Sequence, residues 1–212
     1  MSRVVIIGSG FSGLSAACYM AASGHDVHVF EKNNSVGGRA RQLKTYEGFV
    51  FDMGPSWYWM PDVFDRYFDL FGKKVSDYYN LQLLSPGFRV YFGKDDYIDI
   101  PDSLDKLCYI FETLEKGAAD KLRKFMKQAK MKYQIGMQDL VYQPAKSITE
   151  FVDIKLFKQL LQLKVFRNLH KEVAQYFSHP HIQALLEFPV LFLGATANEI
   201  PSLYSLMDYA AY

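Results

Sequence analysis

Cysteine is nearly absent from this sequence: Cys18 and Cys108 are the only two among 212 residues, and no CxxC pair occurs. Histidines and cysteines also do not cluster with the spacing of metal ligands. These absences argue against a disulfide scaffold and against a zinc site, so we expect no bound metal. Each cysteine is predicted to be a small buried apolar residue rather than a nucleophile.

An excess of charge of one sign is missing as well. The sequence holds 24 lysines and arginines against 23 acidic residues, a net charge of +1, so binding to nucleic acid is not expected. Half of the residues are hydrophobic, which predicts a globular fold, and no internal repeat or low-complexity linker interrupts the chain. The aromatic content of 16% fits either a dense core or an apolar cavity.

Charge is locally absent between Arg3 and Asp26. Such a stretch imitates a signal peptide or a membrane span, but four glycines interrupt it and only one basic residue precedes it. We therefore predict a bacterial-type cytoplasmic protein without a transmembrane helix.

What the sequence does contain is a pattern typical of a βαβ unit. The apolar run Val4–Ile7 predicts a buried parallel strand, the small residues of Leu14–Ser23 predict a tightly packed helix, and Val27–Phe30 predicts a second strand. The motif GSGFSG, residues 8–13, joins the first strand to the helix, and Glu31 follows the second strand. This order is that of a dinucleotide-binding unit.

The glycines and Glu31 have separate predicted tasks. Gly8 permits the tight turn, Gly10 lets the backbone approach a pyrophosphate, and Gly13 lets the helix pack closely on the strand. The phosphates are expected on the free N–H groups at the start of the helix. Glu31 is placed to accept the hydroxyls of an adenosine ribose.

A second glycine pair follows in VGGRAR, residues 36–41. Gly37 and Gly38 permit a close backbone approach, while Arg39 and Arg41 can neutralise a diphosphate with planar, bidentate geometry. The alternative is a surface turn with solvated arginines.

Two further segments carry a resemblance to known proteins. With FDMGPSW at residues 51–57, the glycine motifs resemble the superfamily of flavoprotein amine oxidases and carotenoid desaturases. The stretch FPVLFLGATANEIPSLYSLMDYA at residues 188–210 is similar to the bacterial phytoene desaturase family in particular. The resemblance spans all 212 residues and corresponds to the N-terminal part of longer family members.

This resemblance implies FAD as cofactor, a lipid-soluble C40 polyene as substrate, and peripheral attachment at the inner face of the cell membrane. The implied reaction is a desaturation in carotenoid biosynthesis, in which the flavin takes a hydride equivalent from the substrate. The cofactor-binding residues predicted from motifs and resemblance are Gly8, Ser9, Gly10, Phe11, Ser12, Gly13, Glu31, Lys32, Gly37, Gly38, Arg39, Arg41, Gly54, Pro55 and Ser56.

Substrate and catalysis stay open at this point. The same flavin site would suit an amine, a porphyrinogen or a retinol-like isoprenoid, and a truncated chain could bind nucleotide without being active. No residue is assigned as proton acceptor, since Asp52 is better explained as a structural residue of the DMGP turn. Residues 57–60 (Trp-Tyr-Trp-Met) fit a polyene channel and ordinary core equally well.

The predicted fold class is α/β, with a Rossmann-type FAD-binding βαβ unit, a short β-hairpin region and a largely helical region. The predicted domains are an N-terminal part of the FAD-binding domain (1–72), part of a substrate-domain sheet (73–101) and a helical substrate- or membrane-facing region (102–212). The predicted later elements are a helix from Pro61 with an apolar face of Val63, Phe64, Tyr67, Phe68 and Phe71, a hairpin of 88–92 with 97–100, and helices at 103–116, 118–142, 147–163, 165–177 and 179–193.

One βαβ unit followed by helices leaves a nucleotide-binding sheet short of strands, because two parallel strands cannot bury both faces of a sheet. The sequence also ends in YSLMDYAAY without a recognisable terminal element. We therefore expect an incomplete portion of a larger flavoprotein fold, with exposed apolar residues, a tendency to aggregate, little retained FAD and no desaturase activity by itself.

The segment Ile154–Phe166 gathers seven apolar residues on one side of a predicted helix and lysines and glutamines on the other. A basic amphipathic helix of this kind lies either in a bilayer interface or on a protein core. If it lies in the bilayer, replacing Leu160 and Leu161 by glutamate releases the full-length enzyme from liposomes with little loss of flavin. Flotation with vesicles measures this, and a double variant that unfolds instead would show that these residues belong to a core.

Overall fold

A computed structural model describes residues 1–55, 57–137, 141 and 167–212. The chain divides into two compact units, Met1–Asn80 and Leu81–Tyr212. The three-part domain division predicted from the sequence stays a prediction. In the described part of the chain, no helix is both long and apolar enough to cross a bilayer.

The first unit opens with the predicted βαβ arrangement. Strand β1 (Arg3–Ile7) and strand β2 (Asp26–Phe30) pair in parallel, from Arg3 opposite Asp26 to Ile7 opposite Phe30. Helix α1 (Phe11–Ala22) connects them and begins three residues earlier than predicted. The reason is that Gly10 is extended and its carbonyl already accepts the first helical hydrogen bond, from the N–H of Leu14 at 2.9 Å.

The remainder of the first unit adds a hairpin that the sequence did not predict. Strands β3 (Gln42–Lys44) and β4 (Val50–Asp52) pair antiparallel, with Gln42 opposite Asp52. Helix α2 (Pro61–Asp69) follows, and its predicted apolar face is confirmed, because the half-buried residues of this segment are Val63, Phe64, Tyr67, Phe68 and Phe71.

Within the described ranges, the parallel sheet is covered on one face only. Val4 and Ile6 lie on the side of α1 and are half-buried, whereas Val5 and Ile7 point away and are 58% and 90% exposed. Among the described residues this sheet consists of β1 and β2, so the expected sheet with few partners and open apolar residues is found. Of the described residues in this unit, only Ser9 and Val75 are buried.

The second unit contains the hydrophobic core. An antiparallel hairpin of β5 (Phe88–Tyr91) and β6 (Tyr97–Ile100) precedes the helices, as predicted. The helices are α3 (Leu104–Leu114), α4 (Ala118–Ile135), α5 (Leu169–Ala174), α6 (Pro180–Glu187) and α7 (Leu206–Ala211). The largest fully buried apolar side chains of this core include Phe111, Phe125, Phe177, Leu122, Leu169 and Ile182.

Several predicted helix boundaries are wrong. The helix predicted over 165–177 begins only at Leu169, because Asn168 is extended, accepts the N–H of Lys171 at 2.8 Å as an N-cap and bridges to Pro201. The helix predicted over 179–193 ends as an α-helix at Glu187, since Pro189 has no N–H to donate, and residues 188–193 continue as a 3-10 helix.

Other differences concern the ends of the helical region. The helix predicted over 118–142 is regular to Ile135, and a terminal helix, α7, exists where none was recognised. The predicted helix 147–163 and the amphipathic segment Ile154–Phe166 lie outside the described residues. Cys108 is buried, as predicted. The same prediction is wrong for Cys18, which is exposed on α1, a helix without any buried residue.

The two faces of β1 give a matched pair of substitutions. Val4→Thr places a hydroxyl against α1 without changing shape, and we expect it to lower the free energy of unfolding by about 1 kcal/mol. Val5→Thr alters the open face and is expected to change that free energy by less than about 0.5 kcal/mol. Urea unfolding followed by circular dichroism measures both, and equal losses would show that the open face is covered in solution.

Candidate functional site

The glycine motif after β1 forms a turn in which the helix and the preceding backbone nearly touch. A Cβ atom on Gly13 would lie 2.0 Å from the carbonyl oxygen of Gly8 and 3.5 Å from a side-chain carbon of Ile6. No side chain fits there, so glycine is required for α1 to start where it does.

The start of α1 has free donors. Gly10 precedes the helix in an extended conformation, and the first turn carries no acidic residue. No side chain among the residues that the structure describes caps this turn. The N–H groups at a helix start lack intrahelical partners and carry the positive end of the helix dipole. An uncapped terminus of this kind is suited to an anion such as a diphosphate.

The GGR segment lies directly against this turn. The N–H of Gly37 donates to the carbonyl oxygen of Ser9 at 2.9 Å. Gly38 has a left-handed φ of 58°, and a Cβ on it would lie 3.0 Å from the Cα of Gly10. The two predicted phosphate-binding segments therefore meet backbone to backbone, and a side chain at Gly38 would crowd the Cα of Gly10.

The DMGP turn is fixed to the GGR segment in the same way. A Cβ on Gly54 would lie 2.0 Å from the carbonyl oxygen of Arg39, and the N–H of Met53 donates to the carbonyl of Arg41 at 3.1 Å. Asp52 accepts a hydrogen bond from the Gln42 side chain at 3.1 Å across the β3–β4 ladder, which agrees with a structural role. The structure thus brings all three motifs together.

Glu31 follows β2 and is held by four hydrogen bonds. Its Oε2 accepts the N–H and the hydroxyl of Ser9, both at 2.8 Å. Its Oε1 accepts the N–H of Asn33 at 2.9 Å and the Asn33 side-chain amide at 2.7 Å. The bonds from Asn33 and Ser9 lower the pKa of Glu31 to about 2, so this carboxylate is charged throughout the physiological range.

The basic residues of the predicted site differ in their surroundings. Arg39 is exposed and, within the described ranges, forms no hydrogen bond or ion pair through its guanidinium, so it is available to an anion. Arg41 is half-buried and donates to the carbonyl of Gly38 at 3.1 Å, which secures the GGR turn. Lys32 and Ser12 are exposed. Ser56 lies outside the described residues.

An apolar cavity of about 630 Å³ lies beside these motifs in the same unit. Gly54, Pro55 and Asp52 contribute to its wall. Six aromatic residues line it: Phe11, Trp57, Tyr58, Trp59, Phe64 and Tyr79. Three of the four residues predicted for a channel or core, Trp57 to Trp59, are therefore on this wall, whereas Met60 takes a left-handed conformation before α2.

Contacts among the aromatic side chains give the cavity its shape. Trp57 and Trp59 stack with ring planes 9° apart, and the hydroxyls of Tyr58 and Tyr79 lie 2.5 Å apart. Burial, together with the bond to Tyr79, raises the pKa of the Tyr58 phenol, which stays neutral. The polar side-chain groups of this wall are the tyrosine hydroxyls, the indole N–H groups of the two tryptophans and the Asp52 carboxylate.

Two parts of this arrangement were not predictable from the motifs alone. Asn33 was not predicted to hold Glu31. Side-chain oxygens of Asp and Asn commonly accept the backbone N–H two residues further along, and Glu31 forms the same kind of bond with the N–H of Asn33. Tyr79 carried no signal, because its place on the wall depends on the path of the chain after α2. No group of three or more His, Cys, Asp or Glu side chains suited to a metal occurs in the described part of the chain.

A βαβ unit with a glycine turn, an uncapped helix start and an acidic residue after the second strand is the arrangement of a Rossmann-type unit. In agreement, residues 6–73 match the family described as NAD(P)-binding Rossmann-like domain. The predicted α/β Rossmann-type fold class is confirmed.

Relatives with known names indicate a more specific class of protein. The chain is 39% identical over 210 residues to a carotenoid 3,4-desaturase of Haloarcula japonica, covering 99% of this chain and 42% of the relative. It is 36% identical over 205 residues to a 4,4'-diapophytoene desaturase (4,4'-diaponeurosporene-forming) of Staphylococcus aureus, covering 97% and 41%. The predicted resemblance to carotenoid desaturases is confirmed, and the chain spans about two fifths of the length of these relatives.

Solved structures agree at the level of the fold. A putrescine oxidase bound to putrescine matches with a TM-score of 0.57 and 16% identity, covering 97% of this chain and 41% of that structure. An oxidoreductase from Methanosarcina mazei matches with a TM-score of 0.52 and 17% identity, covering 97% and 42%.

Substitutions at two glycines of the turn are expected to affect protein stability and ADP binding separately. Gly13→Ala forces a Cβ into the Gly8 carbonyl and is expected to lower the free energy of unfolding by about 2 kcal/mol or more. Gly10 has ordinary backbone angles and a Cβ there meets only the Gly38 Cα at 3.9 Å, so Gly10→Ala is expected to stay folded. Because that Cβ lies on the expected path of the diphosphate, Gly10→Ala should weaken ADP binding.

Thermal unfolding and equilibrium dialysis with ADP measure the two effects. Gly10→Ala with undiminished ADP binding would show that no diphosphate lies against this turn. Gly13→Ala with unchanged stability would show that the turn is looser than the structure indicates.

Proposed function

We propose that this chain supplies the cofactor-binding part of an FAD-dependent carotenoid desaturase. The observation that carries the proposal is the convergence of three motifs, at Gly10, Gly38 and Gly54, beside the uncapped start of α1 and an aromatic cavity. The identity of 36–39% to two desaturases supports the same class of reaction.

The residues present fit the ADP half of an FAD. Backbone without side chains at Gly10 and Gly38 leaves an approach for a diphosphate, which the free N–H groups of Phe11 and Ser12 would hold. Arg39, exposed and without a partner in the described residues, would neutralise its charge. Glu31 would accept the hydroxyls of the adenosine ribose.

We assign the flavin half of the cofactor to the side of Gly54 and Pro55, where the aromatic wall begins. A flavin bound there supplies an acceptor for a hydride equivalent from an allylic carbon. The aromatic wall of the chain would lie against the polyene, and its ring faces would stabilise positive charge that develops along it. Asp52 is engaged by Gln42, which leaves the proton acceptor unassigned.

The proposed substrate is a lipid-soluble polyene, and a C40 phytoene-like molecule is the specific proposal. The names of the relatives, a carotenoid desaturase and a diapophytoene desaturase, favour a polyene of the carotenoid type, whereas the likeness to putrescine oxidase is one of fold and gives no support to an amine substrate. A lipid-soluble substrate favours peripheral attachment at the inner face of the cell membrane, for which Ile154–Phe166 is the candidate segment.

Cofactor identity can be tested on the 212-residue chain by competition. We expect FAD and ADP to compete for one weak site and NADP to bind less well, because the charged Glu31 repels a 2'-phosphate on the ribose. Fluorescence quenching of FAD on titration, with ADP and NADP as competitors, measures the order. Replacement of Glu31 by Gln should narrow the difference between ADP and NADP, and binding of NADP in preference to FAD would overturn the proposal.

A second measurement addresses the reaction. In cells that accumulate phytoene, residues 1–212 alone are expected to leave the polyene unchanged, because the chain spans about two fifths of the length of the matched desaturases. Pigment extraction and absorption spectra give the result. Desaturated products formed by the 212 residues alone would show that the matched part of these enzymes is sufficient.

A further inference from the structure

The acceptor capacity of Glu31 is already used by the chain itself. An ionised carboxylate offers about four lone-pair positions. Ser9 and Asn33 each fill two of them, one from the backbone N–H and one from the side chain, at 2.7 to 2.9 Å. A ribose hydroxyl can therefore bond to Glu31 only by displacing one of these donors.

The two oxygens of Glu31 differ in how accessible their partners are. Oε2 bonds to Ser9, which is 1% exposed, so a ligand cannot reach that side without opening the turn. Oε1 bonds to Asn33, which is exposed. The backbone N–H groups of both residues are fixed, and the Asn33 amide is the donor that can rotate into solvent.

We propose that the Asn33 side chain occupies, in the free protein, the position on Glu31 Oε1 that a ribose hydroxyl takes in the complex. Asn33 is then an affinity-determining residue that competes with the dinucleotide. The inference deepens the proposed function and rests on its assignment of Glu31 to the ribose.

The opposite role, in which Asn33 positions Glu31 for the ligand, is disfavoured by the remaining bonds. Without the Asn33 amide, Oε1 keeps the backbone N–H of Asn33 and Oε2 keeps both donors of Ser9. Three bonds therefore still hold the carboxylate in place. Since Asn33 has no left-handed backbone, alanine can replace it without strain.

The test compares Asn33→Ala with wild type in the 212-residue chain, using ADP and 2',3'-dideoxy-ADP as ligands. Removal of the competing hydrogen bond, discounted for its exposure, should tighten ADP binding about threefold. Binding of dideoxy-ADP should not change, because it has no hydroxyl to take the vacated position. Asn34→Ala is the matched control, since Asn34 is an adjacent exposed asparagine without a bond to Glu31.

Equilibrium dialysis gives the affinities, and circular dichroism verifies that each variant is folded. Weaker or unchanged ADP binding by Asn33→Ala overturns the inference, as does an equal gain for both ligands. If Asn33→Ala also binds ADP no better than dideoxy-ADP, Glu31 does not hold the ribose, and that part of the proposed function fails together with the inference. If wild type prefers ADP to dideoxy-ADP but Asn33→Ala binds ADP no more tightly, the inference about Asn33 is wrong and the assignment of Glu31 to the ribose stands.

Discussion

Close approach of backbone to backbone is the constraint on which the site depends. At Gly13 and Gly54 a single additional carbon would lie 2.0 Å from a carbonyl oxygen, and at Gly38 it would lie 3.0 Å from the Cα of Gly10. Side chains elsewhere in the first unit are mostly exposed or half-buried, so packing alone does not fix these segments. Glycine at three positions lets 8–13, 37–41 and 52–55 assemble around the start of α1.

The parts of this structure that were predictable are those encoded within a short stretch of sequence. The βαβ unit follows from apolar runs and glycines within about thirty residues, and the amphipathic face of α2 follows from its spacing. The β3–β4 hairpin escaped prediction because its strands have three residues each and little apolar alternation. The end of the α-helix at Glu187 has a local cause in Pro189, which lacks an N–H, whereas the apolar residues beyond it favour a continued helix.

The site itself was predictable in its residues and less so in its contacts. That Gly38 would meet Gly10, and Gly54 the Arg39 carbonyl, depends on how three loops fold over one another, which spacing along the chain does not specify. The hydrogen bonds that fill the Glu31 carboxylate were unpredictable for the same reason, because Ser9 belongs to one loop and Asn33 to another. Tyr79 joins the aromatic wall for the same reason.

The near absence of buried residues in the first unit has a consequence for how this protein is maintained in a cell. With only Ser9 and Val75 buried among its described residues, this unit has little hydrophobic stabilisation of its own. A ligand that binds only the folded form adds about 2.7 kcal/mol when its concentration is a hundred times its dissociation constant. A dinucleotide would thus act as a folding ligand, and the steady-state abundance of the protein would follow the supply of its cofactor.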